Sequence, residues 1–73
     1  MLSVVAPAYN EAGVLPAFIG RVVDVLGAVG EEWELVLVDD GSRDETWSLI
    51  QSAAHAEPRI HGIRLSRNFG HQL

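Results

Sequence analysis

The run Leu35-Val36-Leu37-Val38 constrains this chain most, because four apolar residues stand together and the next two are both aspartates. The run is too short for a buried helix. It suits a central parallel strand covered on both faces. On each side lies a segment with helical spacing, and beyond each of those lies another strand-like run. Residues 2–6 read as a first strand ended by Pro7. Leu15, Phe18 or Ile19, Val22, Leu26 and Val29 mark one face of a helix that starts near Gly13. Pro16 fits its first turn, and Gly27 and Gly30 mark its end. Residues 42–56 read as a second helix. Ser42 and Glu45 suggest a capping box, with Asp44 and Glu45 at the positive end. Residues 59–66 form a third strand of mixed polarity, nearer an edge.

The order β-α-β-α-β implies parallel pairing through right-handed crossovers. The fold class is therefore α/β: one Rossmann-like half of a doubly wound parallel sheet, with strand order 3-2-1. Residues 3–6 and 36–38 are expected to be the most buried.

Length and charge narrow the function. With 73 residues the chain is a single small unit spanning 1–73, and so short a domain buries only ~60% of its unfolded surface. Its net charge is −5, from ten acidic residues against five arginines and no lysine. A nucleic-acid partner, which wants a basic face, is excluded. An acidic site can still hold a diphosphate through a divalent cation. The chain has no cysteine, so disulfides and thiolate chemistry are excluded. No leader and no run of ~18 apolar residues is seen, so the expected location is the cytoplasm.

In a parallel α/β sheet the C-terminal strand ends share one edge, and ligands bind there. The three ends here read "PAYNE", "DDGS" and "SRNFG", so these clusters should converge. Neither a G-x-G-x-x-G turn nor a phosphate-binding P-loop is present. The first turn offers an aromatic ring, an amide and a carboxylate instead, which suit a base and ribose better than a pyrophosphate. Consecutive strand residues point to opposite faces, so Asp39 and Asp40 cannot share one role.

Plainer explanations compete. Tyr9 and Asn10, taken alone, suit turn residues. Ser42, Asp44 and Glu45 suit a helix start, Arg64 and Arg67 solvated side chains, and Trp33 and Trp47 packing. His55 and His61 have no partner at metal-ligand spacing. For Asp39 function is favoured, since a cap needs one carboxylate and not two.

"PAYNE", "VDDGSRDET" and "LSRNFG", each after a strand and in this order, resemble the inverting family 2 glycosyltransferases of the GT-A fold. "RNFGHQ" is most similar to the branch that moves sugars to polyprenyl phosphates, the dolichol-phosphate mannosyl- and bactoprenol glucosyltransferases. The resemblance covers the whole chain. It implies a nucleoside-diphosphate hexose donor, UDP- or GDP-linked, and a polyprenyl phosphate acceptor. It implies that Pro7 and Tyr9 pack around the base and that Glu11 bonds base or ribose. Asp39 would read the base or ribose. Asp40 would support the turn and pocket, and Gly41 would allow close backbone approach. Arg67 and Asn68 would close the pocket.

The family also uses Mg2+ or Mn2+ on a D-x-D motif, and a catalytic base. Neither motif is found in these 73 residues. The expectation is an incomplete nucleotide-sugar-binding part, inactive alone and binding no metal stably. Within a longer enzyme it would lie at the cytoplasmic membrane face. An exposed sheet edge would favour self-association. The alternative is a stand-alone, non-catalytic βαβαβ module that binds a nucleotide or a partner. A phospho-acceptor receiver is a third possibility, but its lysine is missing.

Overall fold

The computed structural model describes residues 1–65. Three strands alternate with two helices: β1 (Leu2–Ala8), α1 (Leu15–Val29), β2 (Trp33–Asp39), α2 (Thr46–Ala56) and β3 (Ile60–Arg64). The strands form one parallel sheet in the order β1-β2-β3. In register, Ala8 pairs with Asp39 and Asp39 with Arg64.

β1 runs two residues further than expected, and Pro7 lies inside it, opposite Val38. β1 is an edge strand among the described residues, where a missing N–H costs no ladder bond. α1 contains Gly27 and ends only at Gly30, whose φ of 83° makes the left-handed C-cap. Pro16 sits in its first turn, as expected.

The expected capping box is not formed. α2 begins at Thr46, Glu45 is its N-cap, and no cap side chain bonds there. Ser42 is used elsewhere, and Asp44 takes over: its Oδ1 accepts from the Thr46 N–H at 2.9 Å. That carboxylate satisfies one of the free donors at the start of the helix.

Both helices cover the same face of the sheet. Two right-handed crossovers between strands in sequential order must stack their helices on one side. Leu15, Ile19 and Leu26 of α1 and Ile50 of α2 pack on Leu35, Leu37 and Ile60. Leu35, Leu37 and Ile50 are fully buried. Each such side chain contributes about 1.5–3 kcal/mol by leaving water.

The expectation of two covered faces is therefore corrected. In β2 buried and half-buried residues alternate, and Val36 and Val38 are only half-buried. In β1, Ser3 and Val5 are exposed. The second face carries Val5, Pro7, Val36, Val38 and Ile63, and nothing among the described residues covers it.

α2 reaches β3 closely because of Gly62. A Cβ there would stand 2.6 Å from Ile50 Cγ2 and 3.3 Å from the Trp47 ring. Glycine at this strand position permits the approach.

Candidate functional site

The ends of β1 and β2 meet in a dense set of hydrogen bonds. The Asp40 N–H donates to the Ala8 carbonyl at 3.1 Å, extending the sheet by one link. The Asn10 N–H donates to Ser42 Oγ at 2.8 Å, and the Arg43 N–H donates to Asn10 Oδ1 at 2.8 Å. Asn10 holds φ at 51°, a left-handed value that asparagine tolerates well. The Glu11 N–H donates to Thr46 Oγ1 at 2.8 Å, and the Ala12 N–H to Asp44 Oδ2 at 3.2 Å. Two of the three polar clusters thus converge. The third, residues 66–70, lies outside the described residues, as do the readings on Arg67 and Asn68.

Thr46 was not singled out from the sequence. It is fully buried, and its hydroxyl joins the two loops and also bonds Asp44. These bonds, the side-chain one foremost, hold the Asp44 carboxyl below its ordinary pKa. A threonine after two acidic residues reads as a helix start. Its long-range role, across 35 positions, has no local signal.

Tyr9 and Glu11 are both exposed on this rim. Glu11 Oε1 accepts from the Tyr9 N–H at 3.2 Å, which folds its carboxylate back over the turn. Gly41 adopts φ 80°, the left-handed region that favours glycine. Pro7 stands apart from these residues, exposed on the uncovered sheet face beside Val38.

The two aspartates do diverge. Asp39 continues the series Trp33, Leu35, Leu37 on the helix-covered face and is fully buried. Asp40 is half-buried. Asp39 itself does structural work: its Oδ1 accepts from the Ser42 N–H at 3.0 Å and closes the turn. The other oxygen, Asp39 Oδ2, is buried and has no hydrogen-bond donor among the described residues. Arg64 Nε stands 3.7 Å from it, on a side chain about half exposed. Arg64, expected to be solvated, is thus paired. Its guanidinium lies 5.6 Å from the centre of the Trp47 ring.

Chemically, the rim offers carboxylate acceptors, an aromatic face and backbone amides. Among the described residues no three His, Asp or Glu side chains stand together so as to hold a divalent cation. The described residues do not fit a metal. His61 Nε2 lies 3.7 Å from Glu34 Oε2 on the uncovered face, far along the strands from the rim. No helix among the described residues is long and apolar enough to cross a membrane.

The family model for glycosyl transferase family 2 matches residues 3–72. An undecaprenyl-phosphate 4-deoxy-4-formamido-L-arabinose transferase of Shewanella sediminis is 46% identical over 71 residues, covering 94% of this chain and 21% of that protein. The protein of the same name from Aeromonas hydrophila is 41% identical, with 96% and 22% covered. The glycosyltransferase YkcC of Bacillus subtilis is 38% identical, with 97% and 22% covered. The chain spans about a fifth of the length of these relatives. With a match running from the first strand through the whole β-α-β-α-β unit, the chain belongs to glycosyltransferase family 2.

Proposed function

We propose that this chain is the nucleotide-sugar-binding N-terminal part of an inverting glycosyltransferase whose acceptor is a polyprenyl phosphate. The observation that carries the binding role is Asp39 Oδ2, a buried acceptor without a donor among the described residues, at the C-terminal end of the strands. Leaving such an atom unpaired costs about 1–3 kcal/mol, more when it is charged. A base N–H or a ribose hydroxyl supplies the missing donor. Tyr9 offers apolar surface to the base, and Glu11 and Asp40 offer further acceptors. Gly41 lets the backbone come close.

The acceptor class rests on relatives whose names state an undecaprenyl-phosphate transferase. Those names state an arabinose-type sugar rather than the hexose expected from the sequence. The reading therefore stays at a nucleoside-diphosphate sugar, with neither base nor sugar fixed. Transfer itself needs groups beyond these residues. Acidic Glu11, Asp39 and Asp40 lower the affinity for a diphosphate, without abolishing it, unless a cation compensates them. The 73-residue chain alone transfers no sugar. The uncovered apolar face, with Val5 65% exposed, favours part of a larger domain over a stand-alone module.

Calorimetric titration with UDP and with GDP tests the binding role. The wild-type chain takes up one of them. Asp39→Asn, shown folded by a melt, binds it at least about tenfold more weakly, as expected for losing a hydrogen bond to a charged group. No binding of either nucleotide, or equal binding by the variant, sinks the reading.

A further inference from the structure

Three observations meet at the Asp39 carboxylate. Asp39 Oδ2 is sealed from water yet has no hydrogen-bond donor among the described residues. Arg64 stands beside it on the next strand, paired in register with Asp39, with Nε 3.7 Å from that oxygen. The Arg64 side chain is about half exposed, and its guanidinium lies over Trp47 of α2. At 3.7 Å the pair is an ion pair without a formed hydrogen bond. A side chain this exposed gains little from such a pair, and water screens it. Its stem can swing outward without disturbing the sheet, because the β3 backbone is held independently: the Leu65 N–H donates to the Asp39 carbonyl at 2.9 Å.

We infer that Arg64 is the movable cover of the Asp39 carboxylate. In the free chain its guanidinium rests on the Trp47 ring and closes the approach to Oδ2. A ligand N–H or O–H takes the place of the guanidinium, makes the hydrogen bond that arginine does not make, and turns Arg64 toward solvent. Arg64 is thus a positioning residue. It keeps the carboxylate compensated while the site is empty and sets how readily a ligand reaches it. The inference rests on the reading of Asp39 as the ligand acceptor.

Uncharged nucleosides separate this role from any attraction between Arg64 and phosphate. Uridine and guanosine are titrated into the wild-type chain and into Arg64→Met, which keeps the apolar stem over Trp47 and removes the charge. The Trp47 indole N–H resonance, assigned with Trp33→Phe, is followed by NMR. For the nucleoside that binds, the Trp47 resonance of the wild type moves as Arg64 leaves the ring. The same nucleoside binds Arg64→Met about two- to fivefold more tightly, because a half-exposed ion pair no longer has to be broken. The Trp47 shift in the variant is smaller. Unchanged or weaker binding by Arg64→Met overturns the cover and leaves the binding role of Asp39 standing. So does a still Trp47 resonance in a wild-type chain that binds. If neither chain binds either nucleoside, the cover has nothing to admit, and it falls together with the reading of Asp39.

Discussion

The backbone N–H of Glu11 donates to the hydroxyl of Thr46 at 2.8 Å, tying the turn after β1 to the first residue of α2. Glu11 is a candidate ligand residue, and Thr46 is a fully buried structural one. Together with Asn10 and Ser42 they make one rigid rim out of two loops. A binding site needs its groups held by such a supporting shell.

Replacing Thr46 by valine keeps the shape and removes the acceptor. The Glu11 N–H then loses its partner, which costs about 1–3 kcal/mol. A thermal melt should show a clear drop for Thr46→Val and a smaller one for Thr46→Ser, which retains the oxygen. A loss in Thr46→Ser as large as that in Thr46→Val would mean that the methyl group matters as much as the hydroxyl.

The same hydroxyl sets an acid limit. Hydrogen bonds from Thr46 lower the pKa of Asp44 in the folded chain. A lowered folded pKa means that Asp44 adds stability above its unfolded pKa. That stability is lost as the pH falls through the folded value. The melting-temperature gap between wild type and Thr46→Val should therefore shrink on acidification from about pH 6 to about pH 2. A constant gap would show that Asp44 draws nothing from Thr46.

Gly62 is the hinge of packing between α2 and β3. An added Cβ would lie 2.6 Å from Ile50 Cγ2, inside any real contact. Because Ile50 is fully buried, it cannot yield freely. Gly62→Ala should lose about 1–3 kcal/mol, lowering the melting temperature by several degrees. The double variant Gly62→Ala, Ile50→Leu removes the Cγ2 branch from the conflict and should recover part of the loss. A single variant as stable as wild type would contradict this packing.

Asp39 and Asp40 should separate in stability as they do in burial. Asp39→Ala frees the Ser42 N–H and empties a buried site, so its melt should fall well below that of Asp40→Ala. The reverse order would show that the turn is held from Asp40.

Much of this was legible in the sequence. The unbroken run before Asp39 and the helical spacing on each side gave the element order, the parallel pairing and the strand order. Strand alternation separated Asp39 from Asp40 before any coordinates. Other features were not legible, for definite reasons. The Leu35–Val38 run reads the same whether one face or two are covered. Only the crossover hand together with sequential strand order puts both helices on one side. Ser42 and Glu45 carry the letters of a capping box. The Ser42 hydroxyl is claimed instead by Asn10, 32 residues away, and Asp44 caps in its place. Arg64 reads as a surface charge until the register sets it beside Asp39.

The central claim is that a nucleotide sits on the joined ends of β1 and β2. Mapping the backbone amide resonances of the chain during titration with UDP and GDP tests this most directly. One nucleotide should shift the amides of Tyr9, Asn10, Glu11, Asp40, Gly41 and Leu65, while those at the opposite strand ends, such as Ser3 and Glu34, stay still. Shifts centred on the uncovered sheet face, on the outer side of α2 around Gln51 and His55, or nowhere at all would contradict it.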